Sequence, residues 1–551
     1  MSEGLGKHFS GIIEGVVATI VCNLIGVVCF ALGLAEKPDL NDPKNWPVWV
    51  TGLFAFGFLG IGAGIFNAIR VWWKRRRIGP GTGQRLTIIL ADLENDDSNR
   101  QKNNVRDALL HYLGENSIQI ITYPQVLAIG EGQYDAEVLK TQARAQKVLK
   151  GKRGDLLIWG RVKSAGVLAL YFTALSGKTS MVSSYALDAT LELPAKFDND
   201  LGAAVAARVL ALGTALINRQ GNFLTPYAEH FATQIKPLVA ISKPGWSADA
   251  RGAVLYAFGL AKTLAGEEHG NTEALKEAID VLGAALKEYP RTNAPLRWAG
   301  IQNTLGNALR ALGEREPDTA QLEEAVTTYR AALSAYTAVP LLSAATQNNL
   351  GNALQLIGAR QNNTARIKEA IDAHHEALKV LSLKQSARDF AATQNSLGNA
   401  LLLIAEHETG TTRLKEAVTA YDEALKVYDR TTLPLFWAGI QLNRATALRM
   451  IGEREPGKAR LKNAIAGYRE ALTVYSREHN PLDWAMSIGN QAIAMMLLAD
   501  RNGDLAMAEK AVASMAAACK TFQDTGHQAF AKEMQTKLPL AQALVKRLGT
   551  T

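Results

Sequence analysis

The residues of this 551-residue chain best suited to chemistry are amides rather than nucleophiles. Asn303, Asn307 and Arg310 stand at i, i+4 and i+7, so one face of a helix would carry all three. Asn348, Asn352 and Gln355 repeat that spacing 45 residues on, and Asn395 and Asn399 repeat its first two members 47 residues later. An amide side chain donates and accepts at once, which suits gripping an extended peptide backbone. Asn is also a poor interior helix former, so a repeated pair costs helix stability and asks for a reason. Two reasons stay open: contact with a ligand, or bonding of the asparagines to one another as a ladder between copies. Further along the chain the same register carries Leu442/Thr446 and Gly489/Ile493, which confines a polar face to the earlier copies.

Catalytic chemistry has a thinner basis. Asp92, Glu94, Asp96 and Asp97 follow an apolar run, where α/β folds place ligand sites, and carboxylates suit a hard cation such as Mg²⁺. Alternatively Asp97 or Ser98 caps the next helix, while the other acids favour its positive end. Cys22, Cys29 and Cys519 form no metal-ligand spacing, and no Ser/His/Asp or Cys/His pairing is indicated. His111 falls within a helix, and His374 occupies a place that Tyr329 and Tyr421 fill elsewhere. No catalytic residue, metal or cofactor is assigned. Residues 78–84, including Gly79-Pro80-Gly81-Thr82-Gly83, lack the Lys-Ser/Thr of a phosphate loop and form a linker.

The elements that position the asparagines are repeated. Gly259, Gly306, Gly351, Gly398, Ala445 and Ala492 stand 47, 45, 47, 47 and 47 residues apart. Ala278, Ala325, Ala370, Ala417, Ala464 and Ala511 follow at the same steps. Two markers in register define six tandem copies over residues 246–535, each a pair of helices, followed by a C-terminal cap over 536–551 within a helix expected from Gln528 to Leu548. Pro295, Pro340, Pro434 and Pro481 mark helix starts, and the tryptophans are expected in the core. Leu305-Gly306 on the first helix, with Ala325, Tyr329 and Ala332 on the second, resembles the tetratricopeptide repeat family. The first helix is extended by about two turns relative to the family's unit of about 34 residues. The resemblance implies a right-handed solenoid whose first helices line a groove for peptides or protein segments, at the register of Asn303, Asn307, Arg310, Asn348, Asn352, Asn395 and Asn399.

The N-terminal region reads differently. Residues 11–34 are almost continuously apolar and residues 48–69 carry no formal charge, each enough to cross a core of about 30 Å as a helix. Residues 1–77 are therefore expected to form a transmembrane hairpin in the lipid bilayer. Lys7 before the first span and the Lys74–Arg77 run after the second put both termini in the cytoplasm by the positive-inside bias, as in a bacterial inner membrane protein. That run also accounts for part of the net charge of +8, and no nucleic acid partner is expected. Gly60 and Gly64, like Gly11 and Gly15, have small-xxx-small spacing that serves packing within the hairpin or homo-oligomerisation. Glu14 is an ionisable group in an apolar run, there for function or snorkelling to the headgroups.

Between hairpin and repeats, residues 85–240 alternate strand and helix patterns in the order β-α-β-α-β-β-β-α, ending in a helical connector. This order implies a mixed sheet with an antiparallel meander on one side. The segments ADLENDDSN and GDLLIWGRV resemble the N-terminal α/β module of TolB, which implies a noncatalytic binding or assembly role. The fold class is thus multidomain: a transmembrane α-hairpin, a small mixed α/β domain and an all-α tetratricopeptide-like solenoid. The leading expectation is a membrane-anchored scaffold or sensor for a protein or peptide partner. The alternatives are a membrane-permeabilising effector of bacterial-defence type, sensing through its cytosolic parts, and a metal-dependent enzyme on Asp92, Asp96 and Asp97.

Overall fold

The computed structural model describes residues 86–128, 134–152, 154–163, 167–174, 190–194, 199–217, 225–239, 246–337, 339–384 and 386–550. The expected hairpin of residues 1–77, with spans 11–34 and 48–69 and with Glu14, Gly60 and Gly64, lies outside the described residues, as does the 78–84 linker. Among the described residues no helix is long and apolar enough to cross a membrane.

Five strands form one mixed sheet: β1 (Leu86–Asp92), β2 (Ile118–Val126), β3 (Leu156–Lys163), β4 (Val167–Ala174) and β5 (Thr190–Pro194), in the order β2-β1-β3-β4-β5. β1 runs parallel to β2 and β3, while β3-β4-β5 is an antiparallel meander. Helix α1 (Arg100–Leu113) connects β1 to its neighbour β2, and α2 (Tyr134–Lys152) crosses from β2 to β3 on the other side of β1, as parallel strands require. Both faces of the central strands are buried. Ile88, Leu90, Leu156 and Ile158 meet Val105 and Leu109 of α1 and the residues of α3 (Asn199–Ile217) on one side. Ile89, Leu157 and Trp159 meet Ala145 and Leu149 of α2 on the other. Trp159 stacks on Tyr171 at 4.4 Å and donates from Nε1 to Thr173 Oγ1, satisfying its one donor in the core.

The acidic cluster is occupied internally. Asp96 accepts from the backbone N–H groups of Gln101 and Lys102 at 3.2 and 3.0 Å, so the cap of α1 is Asp96 and not Asp97 or Ser98. The physical reason is Asn99, whose left-handed backbone (φ 52°) folds the preceding turn back over the helix start. Asp92 pairs with Lys102. Among the described residues no group of three acidic, histidine or cysteine side chains is arranged to hold a metal ion.

The same core continues into the helical array. α4 (Thr225–Val239) contributes Phe231 and Ile235, and α5 (Ala248–His269), the first repeat helix, contributes Val254, Ala257 and Phe258. The array then runs as six pairs: α5/α6 (Thr272–Glu288), α7 (Pro295–Gly313)/α8 (Ala320–Leu333), α9 (Pro340–Gln361)/α10 (Thr364–Leu378), α11 (Ala387–Ala405)/α12 (Thr412–Leu425), α13 (Pro434–Arg454)/α14 (Ala459–Ala471) and α15 (Pro481–Asn502)/α16 (Leu505–Asp524). The closing helix α17 spans Gln528–Gly549. Four first helices start on proline, where its missing N–H is harmless, while α11 starts on Ala387.

All six marker alanines of the second helices are fully buried. The marker glycines are the other half of that contact. A Cβ on Gly306 would lie 2.6 Å from the Tyr329 ring, on Gly351 2.5 Å from His374, and on Gly398 2.6 Å from Tyr421. Where the fifth copy has Ala445, the residue before its tyrosine is Gly467, whose own Cβ would meet Ala445 Cβ at 3.0 Å. The methyl group has changed helices and the close approach is kept. The expected core role of the tryptophans holds only in part. Trp298, Trp437 and Trp484 are half-buried, each beneath an arginine seven residues earlier (Arg291, Arg430, Arg477) at 5.3–5.8 Å.

First helices of successive copies touch one another, whereas no comparably close pair links successive second helices. The first helices therefore line the inner side of the array. That side carries the asparagines.

Candidate functional site: the first-helix face

On the inner face each predicted residue has a distinct environment. Asn307 Oδ1 accepts from Tyr329 Oη at 2.8 Å within its own copy, and from Asn349 Nδ2 of the next copy at 3.1 Å. Asn399 Oδ1 does the same with Tyr421 Oη at 2.8 Å and Asn443 Nδ2 at 3.1 Å. Asn303 is 0% exposed, and its Oδ1 accepts from Asn349 Nδ2 at 3.3 Å. Arg310 is bonded to Glu267 of the first copy at 2.8 Å and to Glu314 one turn on. These four residues hold copies together.

The remaining predicted residues are differently placed. Asn348, Asn352 and Asn395 are half-buried, and so is Gln355. Asn348 Oδ1 and Asn395 Oδ1, three residues before the marker glycine on neighbouring helices α9 and α11, have no hydrogen-bond partner. Asn352 and Gln355 form no side-chain bond among the described residues.

The residue after each marker is matched to the aromatic position 22 residues further on. Asn307 pairs with Tyr329, Asn399 with Tyr421, and Thr446 Oγ1 accepts from Tyr468 Oη at 3.1 Å. In the first and last copies both members are apolar, Leu260 with Leu282 and Ile493 with Met515, and all four are buried. Burial holds the Tyr421 hydroxyl well above its ordinary pKa, so it stays a donor. The amide after the glycine is thus the acceptor that a buried tyrosine needs. Asn399→Leu leaves that hydroxyl unsatisfied and is expected to cost about 1–3 kcal/mol. Adding Tyr421→Leu, which copies the first repeat, should recover at least half of that loss in chemical denaturation followed by helical circular dichroism.

Sequence inspection passed over two groups. Asn349 and Asn443, two residues before the marker, are the donors that cross between copies. Arg315, Arg360, Arg454 and Arg501, nine residues after the marker, each donate to the backbone carbonyl seven residues after the marker of the preceding copy. The acceptors are Gly266, Gly313, Ala405 and Gly452, at 2.6–3.3 Å. A cation there satisfies the orphan carbonyls at a helix end and complements its dipole. Their common register was the available signal.

No family model matches the chain, and no curated protein is similar to it. Solved structures are. BtubC from P. vanneervenii is 18% identical, with 47% of this chain and 93% of that one covered and a TM-score of 0.32. A Rap protein complexed with competence and sporulation factor is 11% identical, with 65% and 89% covered and a TM-score of 0.32. The TPR2AB domain of yeast Sti1 in its pHSP90 complex is 16% identical, with 52% and 99% covered and a TM-score of 0.19. The repeat architecture rests on the chain's own geometry, set out above.

Proposed function

We propose that the array is a scaffold that holds an extended segment of a protein partner along the first-helix face of its third and fourth copies. The N-terminal hairpin tethers it to the cytoplasmic side of a membrane. The observation that carries this reading is the contrast among the amides. Asn303, Asn307 and Asn399 have acceptors engaged inside the array, while Asn348 and Asn395 have unpartnered carbonyls on adjacent helices. A buried amide oxygen left without a donor costs about 1–3 kcal/mol, and rotation of the side chain brings it to a peptide N–H on that face. Asn352 and Gln355 extend the same row. The tether is supported by the apolar spans at residues 11–34 and 48–69 and their basic flanks.

The test is co-purification from detergent-solubilised membranes with Asn348→Ala/Asn352→Ala/Asn395→Ala. The expected result is loss of discrete partners with little change in stability. Asn307→Ala/Asn399→Ala is expected to do the reverse, lowering stability first. An unchanged partner set in the triple variant would rule out the groove.

A further inference from the structure

The first copy breaks the repeat at two positions where every later copy keeps a large apolar residue. Three and six residues after the marker stand Leu309 and Leu312, Leu354 and Ile357, Leu401 and Ile404, Leu448 and Ile451, and Met495 and Leu498, all buried. The second member of each pair packs with the second helix of the preceding copy. Leu312 clusters with Leu275, Ile357 with Leu322, Ile404 with Ile367, Ile451 with Leu414 and Leu498 with Leu461. In the first copy the same two positions are Lys262 and Ala265. Helix α4 lies beside them in place of a preceding second helix, and it brings Ala232 and Lys236 to the contact.

The result is an open pocket of about 380 Å³ between α4, α5 and α6. Its floor is made of methyl groups, from the buried Ala232, Ala261, Ala265 and Ala274. Both charged residues that line it are lysines. Lys262 Nζ donates to Glu277 Oε2 at 2.7 Å and Lys236 Nζ to Glu277 Oε1 at 3.2 Å. One carboxylate between two ammonium groups leaves one positive charge, and each ammonium has three donors of which Glu277 takes one. The volume lies at the small end of the roughly 300–1,000 Å³ range of small-molecule sites. A polar cap, which solenoid ends need, would explain Lys262 alone. It does not explain Ala265, which is buried and still leaves space beside α4.

We propose that this pocket binds a small organic acid. Its apolar body rests on the alanine floor, in space that large side chains fill in the later copies, and its carboxylate sits with Lys236 and Lys262. The site shares no residue with the amide row of the third and fourth copies. Its occupant contacts both the connector helix α4 and the first helix pair.

The test is saturation-transfer NMR on the full chain in lipid nanodiscs, measured against empty nanodiscs. The probes are benzoate, 4-phenylbutyrate and octanoate, each beside the corresponding alcohol. At least one acid should bind saturably and exceed its alcohol in affinity by about fivefold, as one partly exposed ion pair allows. Ala265→Ile installs the residue that the third, fourth and fifth copies carry, and should abolish binding of acid and alcohol alike with helical content unchanged. Lys262→Met keeps the space and should leave the alcohol bound while removing the preference for the acid, because Glu277 then neutralises Lys236. That second variant decides the matter should the isoleucine fold poorly. The proposal is overturned if no acid binds the parent saturably, if Ala265→Ile leaves binding intact, or if the preference for the acid survives Lys262→Met.

Discussion

Gly398→Val is expected to destabilise the array by about 3 kcal/mol, at the upper end for an overpacked core. A bare Cβ at this position already lies 2.6 Å from the Tyr421 ring, and ring atoms of a fully buried tyrosine have nowhere to turn. Valine adds two methyl groups to that collision and forces α11 and α12 apart. The fifth copy shows the permitted alternative: alanine at 445 with glycine at 467. Gly398→Ala should therefore cost less than the valine, and Gly398→Ala/Ala420→Gly should return at least half of that cost. Thermal and urea unfolding of the full chain measure both. If the valine variant unfolds like the parent, the close approach of the two helices is not what the glycine provides.

Acid should act on the array through His374. Burial, with the neighbouring charge of His375 adding to it, pushes its pKa down to about 3 in the folded chain, against about 6.5 when unfolded. Between those values the unfolded chain binds a proton that the folded chain does not. The stability associated with the neutral ring is therefore complete above pH 6.5 and is lost as the pH falls toward 3. The slope is about 1.4 kcal/mol per pH unit for one proton. His374→Tyr removes the titrating group and gives Asn352 the hydroxyl its counterparts already bind. The variant should be the more stable at pH 5, and its advantage should shrink on going to pH 7. A difference between variant and parent that stays constant from pH 7 to pH 4 would show that this ring does not control the acid response.

Both predictions concern parts of the structure that the sequence exposes unevenly. The six-copy array was legible because two small-residue markers keep step at separate positions, and small residues report helix contact directly. The mixed sheet was legible from the change of period after residue 85. The role of the asparagines was not, because spacing of i and i+4 shows that they share a face but not what lies opposite. Asn307 is explained only when Tyr329 and Asn349 are seen beside it, one 22 residues and the other a whole copy away. The arginine clamps escaped for a similar reason. In Glu-Arg-Glu-Pro the arginine reads as ordinary linker chemistry until its carbonyl partners in the preceding copy are seen. The cap of α1 was misplaced because the left-handed turn at Asn99, which brings Asp96 over the helix start, has no signature in hydrophobic period.

The array thus combines a rigid rule with local exceptions. Where the rule is complete, the carbonyl oxygens of Asn303, Asn307 and Asn399 accept bonds from the following copy. In the third and fourth copies the carbonyl oxygens of Asn348 and Asn395 have no partner, and the proposed segment would engage them. The most direct measurement of that claim is site-specific photo-crosslinking in the native cell, with the photoreactive residue at 355 on the inner face or at 372 on the exposed side of α10. The account predicts discrete protein adducts from position 355 that are lost with Asn348→Ala/Asn395→Ala, and none of the same adducts from 372. No adduct at 355, or identical adducts from both positions, would contradict it.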